Sequence, residues 1–403
     1  MTSADAIAAA LDRPALPRAD QPWLTQSLSS GPAGTALLYI ERAHIGSGTW
    51  HQAHTWIKAA TLTPVSASDT SGLFLGAPAL AFTLNCAATA NSARYHQALK
   101  AVDQHVTVLA HRRVDIANHR AHKGERPTFH EYDVFHGLTG IGAYLLRRHP
   151  GSTALERILA YLVTLTRPVH DDQLGTVPGW WVGHDPNLTH APGFPGGHAN
   201  LGVAHGISGP LLLMARALRH GITVDGQATA IHDVLAWLDQ WRQESALGPW
   251  WPQHLTLGDL RNGRLPQNGP GRPSWCYGTP GIARAGQSAA IALRDAARRN
   301  EYEGAMASCL TDPRQLARLT DTSLCHGWAG VYQTAWRAAH DTATPALHAV
   351  LPRLADALIR HTPPTGGREP GLLLGDAGAA LALTTAARDA APASGWDTCL
   401  LID

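Results

Sequence analysis

Short glycine motifs stand in front of runs of apolar residues at seven places along the chain. The residues behind each motif are apolar nearly all round, which is typical of a helix buried on every side. The first glycine permits a backbone conformation that a side chain would obstruct, and the second lets neighbouring backbones approach closely. The second copy has Ala79 in place of the second glycine. The pattern predicts buried helices that begin at the glycines Gly31, Gly76, Gly137, Gly206, Gly278, Gly327 and Gly375.

The stretches between the motifs have a different pattern, with charged residues kept on one face. Clear examples are residues 93–111, 155–165, 228–243 and 346–361. They are typical of an outer layer of amphipathic helices around the apolar ones. We predict an all-α fold, an α,α-toroid in which seven two-helix repeats close on themselves as one domain over residues 1–403. An open solenoid is the alternative, and closure is favoured because neither end shows a polar capping repeat.

Two connections between repeats, residues 167–200 and 244–275, are long and rich in Pro, Gly, His and Trp. Neither has helical periodicity, so both are predicted as loops. Long ordered loops of this kind often build a functional site. Both stand just ahead of glycine motifs that also carry unusual polar residues, which places the candidate site there.

The composition narrows the function classes. Of 403 residues, 44% are hydrophobic and 16% charged, which indicates a globular protein rather than a disordered one. A net charge of +1 gives no basic patch for nucleic acid. We find no signal peptide and no apolar run of membrane-spanning length, so a cytoplasmic protein without an integral membrane segment is expected. Five cysteines in a reducing compartment indicate metal binding or thiol chemistry before disulfides.

Two of these cysteines share a place in the repeat, since Cys276 and Cys325 each stand two residues before the first glycine, and His326 follows Cys325. Two thiolates and an imidazole leave a fourth tetrahedral position open, as catalytic zinc requires. A helix N-terminus also favours the thiolate form. The alternative is two buried cysteines that pack as small apolar groups. Their shared position, two residues before a motif glycine, favours zinc. The other three cysteines lack that position and are expected to be inert: Cys86, Cys309 and Cys399.

Other polar residues stand at or near the glycine motifs. His205 directly precedes Gly206, and a general acid or base role is favoured over a buried imidazole that bonds a carbonyl. Asp133 could be a helix N-cap and Arg272 a solvated loop charge, although an Asp133–Arg272 pair in the site is attractive. Weaker candidates, each expected to be structural, are His136, His184, His190 and His198; Trp180, Trp181 and Trp275 are expected in a pocket wall or the core.

Several segments together resemble a known family. They read YDVFHGLTGIGAYLL from residue 132, PGWWVGHD from 178, FPGGHANLGVAHGISGPLLLMA from 194, RPSWCYGTPGIARA from 272 and LCHGWAGV from 324. In this order they resemble the lanthionine synthetase C-like proteins, and among them the cyclases of class I lanthipeptide pathways. The resemblance implies an α,α-toroid of fourteen helices, with or without a small extra domain on its rim. It implies one zinc ion on Cys276, Cys325 and His326, and an active site lined by His205, Asp133, Arg272 and Tyr277.

The resemblance also implies a reaction. A lanthipeptide cyclase adds peptide cysteine thiols to dehydroalanine or dehydrobutyrine, which forms the thioether rings of an antibiotic precursor peptide. The implied partners are a dehydrated precursor peptide, a separate dehydratase and a transporter, with membrane association through such a complex as an option. One alternative is a relative that adds glutathione to dehydro residues, and another is a non-catalytic scaffold that presents peptide. An α/α-barrel glycosidase would need paired carboxylates, and only Asp133 and Asp376 stand near the motifs.

Overall fold

A computed structural model describes residues 3–11, 13–14, 20–88, 93–342, 344–363 and 369–403, and these ranges are mostly helical. The helices are α1 (Ser3–Ala10), α2 (Pro32–His44), α3 (Trp50–Ala60), α4 (Ala77–Ala87), α5 (His96–His122), α6 (Phe129–Tyr132), α7 (Leu138–Arg148), α8 (Thr153–Leu165), α9 (Ser208–Arg219), α10 (Gln227–Gln240), α11 (Leu257–Asn262), α12 (Thr279–Leu293), α13 (Ala296–Thr311), α14 (Pro313–Leu316), α15 (Trp328–His340), α16 (Pro345–His361) and α17 (Asp376–Arg388). The strands are β1 (Val169–Asp171), β2 (Gly175–Val177), β3 (His198–Asn200) and β4 (His254–Thr256). Within the described ranges, α6, α11 and α14 have only four or six residues, and the other fourteen helices are longer.

The chain divides into two compact units. The first comprises Met1–Leu109, Leu319–Leu401 and Asp403, and the second comprises Ala110–Arg318 and Ile402. Each unit therefore contains several complete repeats. The single domain expected over residues 1–403 stays a prediction.

The seven apolar helices begin where the glycine motifs predict. Gly76 caps α4 with a φ of +80°, and the fourth helix begins at Ser208, two residues after Gly206. In the other five repeats the first glycine is itself the N-cap residue, with an extended backbone: Gly31 for α2, Gly137 for α7, Gly278 for α12, Gly327 for α15 and Gly375 for α17. Since nearly every residue of these helices is buried, the predicted inner layer is confirmed.

The motif needs glycine because the chain folds back tightly in front of each helix. A Cβ on the second glycine, Gly281, would collide with the carbonyl oxygen of Trp275, and one on Gly330 with that of Leu324. In both cases the obstructing atom belongs to the residue six positions earlier. Since backbone atoms cannot rotate away as a side chain can, the close approach itself requires glycine.

Outer helices cover the apolar ones in both units. In the second unit α8 packs on α7, α10 on α9 and α13 on α12, while α9 also contacts α7 and α12. In the first unit α3 packs on α2, α16 on α15, and the N-terminal helix α1 on the C-terminal helix α17. The inner helices α4, α2, α17 and α15 contact one another in that order. The predicted alternation of inner and outer helices is therefore present in each unit.

Helix α5 runs further than the sequence pattern predicted. The amphipathic stretch was placed at residues 93–111, whereas the helix continues to His122. Val114 and Ala117 are buried, so the apolar face continues beyond residue 111 even though charged and His residues become frequent. Among the described residues, no helix combines the length and apolar character that crossing a membrane requires.

The two long connections join each other through β structure in the second unit. Strands β1 and β2 form a hairpin within residues 167–200. Strand β3 of the same connection pairs antiparallel with β4 of the connection 244–275, with His198 opposite Thr256 and Asn200 opposite His254. The backbone N–H of Leu201 also donates to the carbonyl of Gln253 (2.9 Å). Hydrogen bonds therefore join the two predicted loops, which directly precede α9 and α12 in the sequence.

Candidate functional site

The glycine motif and the six residues before it are termed a repeat head, and the heads of α12 and α15 share one local geometry. Ser274 accepts through its carbonyl from the N–H of Gly281 (3.2 Å) and through Oγ from that of Tyr277 (3.3 Å). Ser323 likewise bonds the N–H groups of Gly330 (3.1 Å) and His326 (3.2 Å). The residue just before the first glycine remains partly exposed, and in four heads it can transfer protons or bind a metal: His136, His205, Tyr277 and His326.

Asp133 and His205 form a hydrogen-bonded couple in the second unit. Asp133 is fully buried, and its Oδ1 accepts from the N–H groups of His136 and Gly137 (2.7 Å each). Its Oδ2 lies 2.6 Å from Nδ1 of His205. Because a carboxylate only accepts, Nδ1 carries the proton, and Nε2 is left for proton transfer. Asp133 thus both holds the loop in front of α7 and pairs with His205.

Aromatic rings surround His205. Its ring centroid lies 4.8 Å from that of Phe129, 5.0 Å from Phe135 and 6.2 Å from Tyr277. These rings pack around the imidazole, which keeps 23% of its side chain exposed. Neither phenylalanine was predicted from the sequence, although Phe135 holds the same place before its glycine as Cys276 does.

Backbone hydrogen bonds connect the heads of α7, α9 and α12. The N–H of Val134 donates to the carbonyl of Ala204 (3.1 Å), and the N–H groups of Val203 and Ala204 donate to the carbonyl of Cys276 (2.8 and 3.2 Å). A Cβ at Gly202 would collide with that same carbonyl and with the Tyr277 ring. The three heads are therefore held as one continuous surface, which brings together Asp133, His205, Cys276 and Tyr277.

Arg272 lies half-buried in the α12 head, and its carbonyl packs against Gly278. The Asp133 carboxylate bonds His205 and two loop N–H groups, and among the described residues it forms no ion pair with Arg272. The attractive Asp133–Arg272 pair is thus not formed. A role for Arg272 in the site stays a prediction.

Two further histidines flank Asp133. Burial lowers the pKa of His136, and burial together with the neighbouring His136 lowers the pKa of His130 to about 4. Their ring centroids are 4.2 Å apart. Both imidazoles are therefore neutral at pH 7. His130 was not singled out from the sequence, because it stands outside the glycine motif.

The remaining histidine candidates lie in the long connection. His184 and His198 are buried and donate from Nδ1 to the carbonyls of Asp185 and His184 (2.7 Å each), so they hold the local backbone. Burial lowers the pKa of His184, and that of His198 to about 4. His190 is exposed and lines a cavity of about 620 Å³ with His184 and Arg126. Trp180, Trp181 and Trp275 are buried.

The cysteines separate into two chemical groups. Burial raises the pKa of Cys309 to about 12 and that of Cys399 well above its usual value, so both thiols stay protonated. Cys276 is buried, with Sγ 3.5 Å from Ser274 Oγ, and Cys325 is partly exposed. Among the described residues, the candidate metal ligands are Cys276 in the second unit and Cys325 and His326 in the first.

Comparisons with known proteins agree with these features. The nisin biosynthesis protein NisC of Lactococcus lactis subsp. lactis is 22% identical over 271 residues, which are 66% of this chain and 61% of NisC, less than two thirds of that relative. A solved structure of a nisin cyclase matches with a TM-score of 0.78 and 19% identity over 94% of this chain and 93% of that one, which confirms the predicted α,α-toroid fold. The family model of lanthionine synthetase C-like proteins matches residues 22–401. Because that match covers most of the chain, the protein belongs to the lanthionine synthetase C-like family.

Proposed function

We propose that this protein is a zinc-dependent lanthipeptide cyclase, which adds cysteine thiols of a precursor peptide to dehydroalanine or dehydrobutyrine. Family membership and the likeness to NisC support a thioether-forming activity. The observation that carries the proposal is the joining of the α7, α9 and α12 heads by backbone hydrogen bonds. They put a candidate zinc ligand, Cys276, beside the proton-transfer couple of His205 and Asp133.

The donor set fits zinc. Cys276, Cys325 and His326 would offer two thiolates and one imidazole, the sulfur and nitrogen ligands that zinc prefers, and three protein ligands would leave room for a substrate sulfur. A free cysteine thiol has a pKa of about 8.5, so little of it is thiolate at neutral pH. Bound zinc would supply the acidification that turns an incoming peptide thiol into a thiolate.

His205 is the proposed proton carrier. In the reaction, the substrate sulfur loses a proton and bonds the β-carbon of the dehydro residue. The alkene electrons move toward the amide carbonyl, and the α-carbon gains one proton, so that the overall addition is neutral. His205 Nε2 can take the thiol proton and return a proton to the α-carbon, because Nδ1 is held by Asp133. The Asp133 carboxylate stabilises the imidazolium formed in between.

Two more residues are proposed to act on the enolate that develops during the addition. Arg272 and the Tyr277 phenol belong to the α12 head, and the Tyr277 ring faces that of His205. A cationic or hydroxyl donor near the developing oxyanion lowers the barrier. Since Asp133 is occupied by His205, we assign Arg272 to the enolate charge rather than to holding Asp133.

A single assay tests the proposal. The zinc-loaded protein is incubated with a synthetic peptide that contains one cysteine and one dehydroalanine, and free thiol is then labelled with an alkylating reagent. We expect unlabelled peptide of unchanged mass, which is the cyclised product. If all of the peptide is alkylated after the incubation, the protein is not a cyclase of such peptides.

The same assay separates the alternatives. A protein that adds glutathione would give a peptide heavier by one glutathione when that thiol is present, and a scaffold would bind the peptide without consuming its thiol. The role of NisC in nisin biosynthesis favours the peptide substrate. We propose that a separate dehydratase supplies the dehydrated precursor and a transporter takes the product. We also propose that the reaction occurs in the cytoplasm or at its membrane face.

A further inference from the structure

We propose that Asp321 is a positioning residue for the zinc centre, which holds His326 by Nε2 and so presents Nδ1 to the metal. This inference rests on the proposed zinc-dependent function. It adds a residue that the glycine motif does not mark, five positions before His326 in the head of α15.

The Asp321 carboxylate faces the imidazole. Its Oδ2 lies 3.4 Å from Nε2 of His326, and the two side chains are 21% and 28% exposed. A neutral imidazole has one N–H and one lone pair, so a carboxylate at Nε2 places the proton there. Nδ1 is then the nitrogen with a lone pair for a metal ion.

Asp321 is itself fixed by the turn of the head. Its Oδ1 accepts from the N–H of Ser323 (2.8 Å), and its carbonyl accepts from the N–H of Trp328 (3.0 Å). A Cβ on Gly327 would collide with both Oδ1 and the carbonyl oxygen of Asp321. The glycine that begins the helix therefore also makes room for this carboxylate.

Such a contact has a known effect on metal binding. A metal-bound imidazole that donates its other N–H to a carboxylate has a fixed orientation and a more basic metal-binding nitrogen, and loss of the partner weakens metal affinity by about 10–100-fold. In Asp321→Asn the amide oxygen can still accept from Ser323, but the amide NH₂ would face the N–H of His326. The substitution therefore removes the contact with His326 while it preserves the turn.

The test is the zinc dissociation constant, measured by competition with a chromophoric chelator for the wild type, Asp321→Asn and Asp312→Asn. Asp312 is a matched control because its Oδ1 also accepts from the N–H two residues on, that of Arg314 (2.9 Å), and its carboxylate contacts Arg314 rather than an imidazole. We expect Asp321→Asn to bind zinc about 10–100-fold more weakly. Asp312→Asn should bind as the wild type does. An unchanged melting temperature of metal-free Asp321→Asn would show that its loop is still folded.

Equal affinity of Asp321→Asn and the wild type overturns the inference while the proposed function stands. Absence of zinc binding by the wild type overturns the proposed function and the inference together. A second readout is long-range ¹H–¹⁵N NMR of the zinc-loaded protein with labelled histidine. A protonated Nε2 and a metal-bound Nδ1 in His326 are expected, and metal on Nε2 contradicts the inference.

Discussion

Two repeat heads carry an aspartate that faces an imidazole. The two aspartates differ in how deeply they are buried and in which ring nitrogen of the histidine they contact. Asp133 is completely buried and lies 2.6 Å from Nδ1 of His205. Asp321 is partly exposed and lies 3.4 Å from Nε2 of His326. In both, the second carboxylate oxygen is held by an N–H of the same loop. The same arrangement thus suits the two proposed chemistries: it leaves Nε2 of His205 for proton transfer and Nδ1 of His326 for a metal ion.

The difference in burial between Asp133 and Asp321 matches the two proposed roles of their histidines. A short hydrogen bond to a buried carboxylate fixes the tautomer of His205 and favours a transient positive charge, which is what proton transfer requires. The looser contact at His326 orients a ring that must still adjust to a metal ion.

The largest effect is expected from removing a thiolate ligand. Cys276→Ala or Cys325→Ala should lose both zinc and ring formation, because two remaining protein ligands cannot hold the ion well. Metal activation contributes several kcal/mol, so the rate should fall on the order of 1,000-fold or more. Zinc content by atomic emission and the alkylation assay measure the two effects. Cys309→Ala is the control, since Cys309 is buried and its pKa is raised. Full activity in a metal-free Cys325→Ala protein would end the zinc mechanism.

The second-largest effect is expected from removing His205, and it distinguishes this proposed proton carrier from the proposed zinc ligand His326. His205→Ala should bind zinc as tightly as the wild type and lose about 10²–10⁴-fold in cyclisation rate, the usual contribution of a general acid–base group. His190→Ala removes an exposed imidazole of the same unit and should change neither quantity. Single-turnover ring formation at saturating zinc gives the rate. Normal cyclisation by His205→Ala would assign the proton transfer elsewhere.

A smaller effect is expected at the glycines beside the two aspartates. A Cβ at Gly137 would collide with the backbone of Asp133, and one at Gly327 with the backbone and Oδ1 of Asp321. Each alanine variant should lose about 1–3 kcal/mol of unfolding free energy through overpacking, measured by urea denaturation. Only Gly327→Ala should also weaken zinc binding. Gly304→Ala in α13 is the control, since its Cβ would meet nothing within 4 Å and alanine favours helix. Equal zinc affinity in both head variants would remove the distinction between them.

The heads could be located from sequence because the glycine spacing and the apolar run are local signals. The position relative to the motif glycine then indicated Cys276, Cys325 and His205, whose side chains lie at fixed places in the turn. Asp321 and Phe129 do not hold such a position, and their roles depend on contacts that only folding creates. The pairing of β3 with β4 joins segments about 50 residues apart, so no local pattern indicates it. Helix α9 begins at Ser208 rather than at Gly206, and Ile207 is its N-cap residue.

The smallest effect concerns two imidazoles outside the two aspartate–histidine pairs, that of the buried His198 and that of the partly exposed His130. The pKa values of His130 and His198 are lowered to about 4, in each case mainly by burial. Above about pH 6.5 these residues are neutral in both the folded and the unfolded chain, so they leave stability unchanged. As the pH falls from about 6.5 toward 4, the unfolded chain takes up protons that the fold excludes, and the free energy of unfolding decreases. Each group can contribute a slope of at most about 1.4 kcal/mol per pH unit.

Urea midpoints of the metal-free protein between pH 7.5 and 5 test this expectation, and leaving out zinc removes proton-linked metal binding. His198→Asn should reduce the slope, because the amide nitrogen of Asn takes the place of Nδ1 and can donate to the carbonyl of His184 but cannot titrate. His190→Asn, at an exposed position, should leave the slope as it is. A midpoint that stays constant over this range would mean that the fold admits the protonated imidazoles. His130 and His198 would then not differ from His205 and His326 in whether the fold admits a protonated ring.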